Sequence, residues 1–241
     1  MTKDQNIQEN GNKTIGAFVA EDYRTATVFE KYGIDFCCGG QATLTATCTE
    51  KKLDIDQILL EIATAKAEPI GRSENYAAWP LPFLIDYIVN THHVYLKEND
   101  EQIAAYAHKI AEVHGAHHPE VIKIATIFAK IATHMAAHLT EEEEVFFPAI
   151  KRVEAAVSSG KNPDAQDRTL IKSELEKLHL EHEEIGDAIH RIRHLAKDYV
   201  IPKDVCNTFV VTYRKLKEFE DDLHKHVHLE NNILFLKATQ L

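Results

Sequence analysis

Two short motifs of the same type have the residues and the spacing to bind metal. His138 precedes Glu142 by four residues, and His226 precedes Glu230 by the same distance. Residues four apart on an α-helix lie on one face. Each motif can therefore offer an imidazole and a carboxylate to one metal ion or to two neighbouring ions.

Two single histidines complete an internal repeat. His92 lies on the apolar stripe of the predicted helix before the first motif, and His182 lies on that of the helix before the second. His182 follows His92 by 90 residues, and the second motif follows the first by 88. Burying an unpaired carboxylate is costly, so metal binding explains why polar residues enter these stripes. Four imidazoles and two carboxylates suit two borderline divalent ions, such as iron or zinc.

The remaining polar neighbours are predicted to lie outside this ligand set. The stripe of His92 continues to Leu96, whereas that of His93 continues to Lys97, so His92 is the favoured ligand. Four other histidines are interpreted as supporting or surface residues: His134, His179, His224 and His228. Three glutamates are interpreted as a solvated run: Glu141, Glu143 and Glu144.

A pair of adjacent cysteines is the second chemical feature. Cys37 and Cys38 precede two glycines, which permit backbone angles that other residues avoid. A helix starting after Gly40 would favour a thiolate through its N-terminal dipole. We treat the two cysteines as candidate catalytic redox thiols or iron ligands; the alternative is two small buried apolar residues in a turn. Cys48 could join them, and Cys206 is interpreted as structural.

Four long helices are needed to position the metal motifs. The apolar periodicity predicts them at about 82–113, 119–157, 167–199 and 203–237, with Gly or Pro in each break. No run alternates as a β-strand does. Long helices with short connections predict an all-α, antiparallel four-helix bundle.

The rest of the chain suggests four regions. Residues 1–13 read as a disordered tail, 14–67 as a small helical domain with the cysteine turn, 68–80 as a linker, and 81–241 as the bundle. Ile55, Ile58, Leu59 and Ile62 form an amphipathic stripe in the small domain. Asp54 and Gln57 are placed like a capping box at its start.

Composition narrows the function classes. The 241 residues carry a formal net charge of −11, which disfavours a nucleic-acid partner. The polar N-terminus lacks the apolar core of a signal peptide, and no stretch predicts a membrane span. Four cysteines do not form a disulfide framework, so we expect a cytoplasmic protein. The 15 histidines favour metal binding.

The residues from about 14 to 237 resemble the iron-sulfur cluster repair di-iron proteins of the YtfE/ScdA type. The hemerythrin-like domain of that family carries the pattern seen here as His92, His138, Glu142, His182, His226 and Glu230. Its N-terminal domain carries the motif that runs here from Ile15-Gly16 to Gly39-Gly40. The resemblance implies two non-haem irons in an oxo- and carboxylate-bridged centre, with Glu142 and Glu230 as bridges and two histidines on each iron.

The resemblance also implies a role in stress. Family members restore iron-sulfur clusters damaged by nitric oxide or hydrogen peroxide, through iron donation or nitric oxide reduction, and the cysteine domain assists. The expected partners are damaged iron-sulfur proteins and small molecules such as nitric oxide or oxygen, with no nucleic acid and no membrane. The resemblance leaves open whether the protein is an enzyme and whether it forms a homodimer.

Two positions depart from the oxygen-carrying hemerythrins. Those proteins have a histidine where this chain has Gly186, and an aspartate where it has Asn231. Losing one histidine leaves an additional open position, which favours labile iron over reversible oxygen storage. A nitric oxide or oxygen sensor or carrier remains the main alternative, and a structural bundle with a closed zinc site is the other.

Overall fold

The computed structural model describes residues 10–67, 69 and 74–241. Within this part of the chain helices dominate, and the one β-type feature is an isolated bridge between Thr14 and Thr43. The all-α fold predicted from the sequence is confirmed. Residues 1–9 of the predicted tail, and residues 68 and 70–73 of the predicted linker, lie outside the described residues.

The chain divides into two compact units. The first comprises Met1–Leu84 with Val227–Gln240, and the second comprises Ile85–His226 with Leu241. The predicted domain boundaries stay a prediction, because compact units are defined by packing and not by chain order. None of the helices among the described residues has the length and apolar character needed to span a membrane.

Short helices form the N-terminal part of the first unit. They are α1 (Ile15–Glu21), α2 (Ala26–Lys31), α3 (Leu44–Lys51) and α4 (Ile55–Ala65), with 3₁₀ turns at Tyr23–Thr25 and Tyr76–Ala78. The Asp54 side chain accepts hydrogen bonds from the amides of Asp56 and Gln57, so α4 begins where the sequence predicts. Phe18 and Phe29 pack at 6.0 Å between ring centroids inside this unit.

Four long helices follow, and we call them the first to fourth bundle helices. The first consists of α5 (Leu81–Ile88), a π turn (Val89–His93) and α6 (Val94–His114). The second consists of α7 (Glu120–Glu141), a π turn (Glu142–Phe146) and α8 (Phe147–Ser158). The third is α9 (Ala165–Leu195). The fourth consists of α10 (Asn207–Leu229), a π turn (Glu230–Leu234) and α11 (Phe235–Ala238).

The predicted helix breaks are found in the structure. The second bundle helix ends at Ser158, and Gly160 follows two residues later with a φ of +69°, in the left-handed region that glycine adopts without strain. The apolar stripes meet in the second unit, where Phe128 and Phe219 contact edge to face at 5.0 Å. Both rings are fully buried, so this contact helps to pack the second bundle helix against the fourth.

Candidate metal centre

A π turn interrupts three of the four bundle helices at a predicted metal-binding motif. The turn in the first helix contains His92 and His93, the turn in the second begins at Glu142, and the turn in the fourth begins at Glu230. A π turn contains one residue more than an α turn, so it widens the helix locally and changes which side chains of that turn face the bundle interior. Such turns are frequent at functional sites.

Four buried histidines meet in two pairs within the second unit. His93 and His226 approach to 3.1 Å between their Nε2 atoms. His138 and His182 approach to 3.1 Å through the same atoms. Each pair joins two different bundle helices, and all four side chains are buried. The structure therefore brings three predicted ligands, His138, His182 and His226, together with a fourth histidine that the sequence did not select.

Glu142 lies between the two pairs. Its Oε2 atom is 3.5 Å from the Nε2 atom of His93 and 3.5 Å from that of His138. The side chain is fully buried, and its ligand atoms lie within 4.8 Å of those of both pairs. A buried carboxylate flanked by two sets of imidazole nitrogens is suited to bridging two cations. The donor set therefore fits a pair of borderline divalent ions.

Glu230 follows His226 by one turn of the fourth bundle helix. It is fully buried, as the predicted ligand role requires. It is also the first residue of the third π turn. Its assignment as a ligand stays a prediction.

Two outer carboxylates orient the histidines. The Nδ1 atom of His93 lies 2.8 Å from Glu143, which also binds Lys97 at 2.7 Å. The Nδ1 atom of His138 lies 2.8 Å from Glu181. A proton held on Nδ1 by a carboxylate leaves the Nε2 lone pair directed at the centre. The same carboxylate partner makes the imidazole a better electron donor.

Both outer carboxylates are stabilised in the ionised form. The hydrogen bond with His138 lowers the pKa of Glu181, against a smaller effect of burial. Burial alone would raise the pKa of Glu143, but hydrogen bonds with Lys97 and His93 together lower it. Each carboxylate is therefore charged at neutral pH and can accept a hydrogen bond from the Nδ1 atom of its histidine.

His92 is buried but has a different environment from His93. Its Nδ1 atom lies 2.9 Å from Asp222, and its ring stacks on that of His226 with 6.1 Å between centroids. The two groups with ligand geometry contain His93 and not His92. A regular α-helical period predicts that only one of the two adjacent histidines lies on the apolar stripe. In the structure a π turn contains both histidines, and both are buried. Lys97 still follows on the outer side, where it pairs with Glu143.

Several residues at this site were not found by sequence reasoning. Glu143 was interpreted as part of a solvated run, yet it supports His93. Glu181 and Asp222 were not singled out. Each contacts its histidine from another helix, across separations of 43 to 130 residues, so no local pattern marks them. The local sequence feature that could have drawn attention to this site is the pair of adjacent histidines, His92 and His93. Glu144 is exposed, as predicted.

The cysteine turn is held by Asp35. Its Oδ1 atom accepts hydrogen bonds from the amides of Cys37 and Cys38, at 2.8 and 3.1 Å. The two sulfurs are 3.8 Å apart, and both cysteines are reduced. These three side chains lie close enough together to hold a metal ion. Whether they are redox thiols or ligands stays a prediction.

The expected thiolate at this turn is not favoured by the structure. The next helix begins at Leu44 and not directly after Gly40, so its dipole is displaced from the thiols. The hydrogen bond with Cys38, together with burial, raises the pKa of Cys37 well above its ordinary value. Cys37 is therefore a neutral thiol at neutral pH in this conformation.

The other two cysteines also differ from each other. Cys48 is buried on α3 and is not part of the Asp35 group. Cys206, which the sequence analysis interprets as structural, is exposed. Its sulfur lies 3.1 Å from Nε2 of His114. This hydrogen bond, with backbone amides of Phe209 and Thr208, lowers the pKa of Cys206 to about 7.

Comparison with known proteins agrees with both parts of the chain. Residues 84–238 match the hemerythrin HHE cation binding domain. Residues 11–66 match ScdA_N, described as a domain of unknown function. The first match contains the four paired histidines, and the second contains the cysteine turn.

Several similar proteins align with nearly the whole chain. The iron-sulfur cluster repair protein ScdA of Staphylococcus epidermidis is 32% identical over 227 residues, covering 93% of this chain and 97% of that protein. ScdA of Staphylococcus haemolyticus is 32% identical, covering 94% and 98%. The iron-sulfur cluster repair protein YtfE of Yersinia pestis is 29% identical, covering 94% and 96%. With its buried histidine pairs, the glutamate between them and these matches over nearly the whole chain, the chain belongs to the ScdA/YtfE family of iron-sulfur cluster repair proteins with a hemerythrin HHE domain.

Proposed function

We propose that this protein repairs iron-sulfur clusters damaged by nitrosative or oxidative stress, using two non-haem irons. The ligands would be His93, His138, Glu142, His182 and His226, with Glu230 from the next turn. The observation that carries the proposal is the Oε2 atom of Glu142, equidistant at 3.5 Å from one histidine of each pair. His92, the histidine chosen from the sequence, is the competing assignment for the first bundle helix.

The protein's own residues account for a labile centre. Six side chains shared between two ions leave positions open, unlike a closed structural site. Iron bound there would supply redox chemistry and open positions for small ligands such as nitric oxide or oxygen. Glu143 and Glu181 lie 2.8 Å from the Nδ1 atoms of their histidines, which leaves the Nε2 atoms available to a metal ion.

The partners follow from the relatives and from the donor set. Proteins of the ScdA and YtfE type are named for cluster repair, so damaged iron-sulfur proteins are the partners we propose, with iron as the cargo. Nitric oxide reduction at the centre would be an enzymatic addition to this role. All four cysteines are reduced, which fits a reducing compartment such as the cytoplasm.

The proposal is tested by mixing the iron-loaded protein with a nitric-oxide-damaged [4Fe–4S] enzyme under anaerobic conditions. We expect restored enzyme activity together with loss of iron from the protein. Glu142→Gln should restore little, and Glu144→Gln, at an exposed neighbouring position, should behave as the unmodified chain does. Absence of restoration by the fully loaded protein would exclude repair by iron donation.

A sensor or carrier makes a different prediction in the same experiment. It would form a stable and reversible adduct with nitric oxide or oxygen, with no iron leaving the chain. Gly186, one turn after His182 and buried, offers no imidazole that would complete such a carrier site. This glycine favours repair over storage.

A further inference from the structure

A second group of metal-binding residues lies in the same unit as the histidine pairs. It consists of His190 on the third bundle helix, and Glu220 and His224 on the fourth. One ligand atom from each lies within 4.8 Å of the others. The His190 and His224 rings are 5.7 Å apart between centroids, and the Nε2 atom of His224 is 3.8 Å from Oε1 of Glu220.

This cluster shares no residue with the ligand groups of the main centre. The main groups use His182 from the third bundle helix and His226 from the fourth. His190 lies about two turns beyond His182, and Glu220 lies six residues before His226. A metal ion bound by the cluster would therefore be additional to the proposed iron pair.

Burial shows that the cluster is more than a surface group of polar side chains. Glu220 is fully buried and His224 is 7% exposed. The Oε1 atom of Glu220 accepts a hydrogen bond from Nε of Arg193 at 2.8 Å. The Oε2 atom is buried and has no partner at hydrogen-bond distance among the described residues, and another polar group that interacts with this carboxylate is the buried hydroxyl of Tyr199. A carboxylate oxygen in that position is costly unless a cation or donor meets it.

Arg193 balances the negative charge of Glu220 by a hydrogen bond to only one of its two carboxylate oxygens, Oε1. Its side chain is 33% exposed, so solvent screens part of its positive charge. Glu220 can therefore keep this hydrogen bond through one oxygen and offer the other to a cation. His190 borders a groove of about 990 Å³ between the second and third bundle helices, which gives an ion a route from solvent.

We propose that His190, Glu220 and His224 form a separate mononuclear site for a borderline divalent cation such as Zn²⁺ or Fe²⁺. Two imidazoles and one carboxylate are an established donor set for such ions, and they leave a fourth position for water. This inference goes beyond cluster repair and does not depend on it.

The test uses the full-length protein, first saturated with iron and then titrated with Zn²⁺. Native mass spectrometry should show one further bound zinc per chain. His190→Ala should weaken this added binding by at least about tenfold, since even supporting residues contribute that much. The iron content and far-ultraviolet circular dichroism should not change, because His190 is only partly buried.

His194→Ala is the matched control, because His194 is exposed and lies one turn further along the same helix. It should bind the additional zinc as the unmodified protein does. Equal zinc binding by the unmodified and His190→Ala proteins would overturn the proposal. So would a zinc-soaked crystal without anomalous scattering among the three side chains, a measurement that needs no variant.

Discussion

The Glu142 carboxylate supplies the negative charge between the two histidine pairs. Two divalent cations a few ångströms apart repel strongly in a buried environment unless such a charge lies between them. We expect Glu142→Gln to lose at least one iron per chain, and Glu142→Gln with Glu230→Gln to lose more. Iron analysis and the near-ultraviolet spectrum measure this. Full iron retention in the double variant would contradict a bridging role.

His92 and His93 give a sharper test, because adjacent buried histidines make opposite predictions. The structure predicts that His93→Ala loses iron, since its Nε2 atom faces His226 and Glu142. His92→Ala should keep both irons, because its ring contacts Asp222 and is outside the ligand groups. Iron content of the two purified variants decides the matter. The reverse result would support the assignment made from the sequence.

Cys206 should be the most reactive thiol of the chain near neutral pH. Its hydrogen bond with His114 and the backbone amides at the start of the fourth bundle helix lower its pKa to about 7. The thiolate is the reacting form, so alkylation by iodoacetamide should rise with pH to a midpoint near this value. His114→Ala should move the midpoint upward, towards the ordinary cysteine value of about 8.5. Mass spectrometry of the labelled cysteine measures both curves, and coincident curves would show that His114 has no effect.

The π turns determine which polar side chains three of the bundle helices bring to the candidate metal centre. In the first bundle helix, the turn at Val89–His93 directs two adjacent histidines inward. An α-helix would place them about 100° apart around the axis. We infer that the additional residue of the π turn lets both histidines lie inside the bundle. A deletion within the turn can test this.

Deleting Asn90 tests this cause. Asn90 is exposed and lies within the π turn, so its removal should restore an α turn and change the positions of His92 and His93 relative to each other and to their partners. We expect loss of iron and a lower midpoint of thermal unfolding. Asn90→Ala keeps the residue count, and it should retain iron. A deletion variant with a full iron content would show that the turn does not set the ligand position.

Much of the helical architecture could be predicted from the sequence, and the reason is periodicity. The stripe through Leu178, His182 and Ile185 lies on a helix without a π turn, and His182 is where the pattern predicts it. The pattern around His92 did not indicate that His93 is also buried and pairs with His226, because a π turn has no distinctive residue types. Glu181 and Asp222 were missed for another reason, since their partners are on other helices.

On the scale of the whole molecule, the fourth bundle helix contributes to both compact units. Its residues up to His226 belong to the second unit, and those from Val227 onward belong to the first. The sequence predicts the whole helix as part of one domain, and this boundary stays a prediction. Within the first unit, Asn232 packs against Gly16 and Gly40, where any added Cβ would overlap its neighbours. This close approach explains the two glycines of the N-terminal motif.

Asn232 is therefore predicted to stabilise the cysteine turn. Its Nδ2 atom donates a hydrogen bond to the Phe36 carbonyl at 3.0 Å. In Asn232→Ala this buried acceptor loses its donor, which costs about 1–3 kcal/mol of unfolding free energy. We expect unfolding at a lower urea concentration and faster maleimide labelling of Cys37 and Cys38. Leu236→Ala, an exposed position on the same helix, is the control. Equal labelling rates in the two variants would mean that the end of the fourth bundle helix does not hold the turn, and that the two glycines serve packing alone.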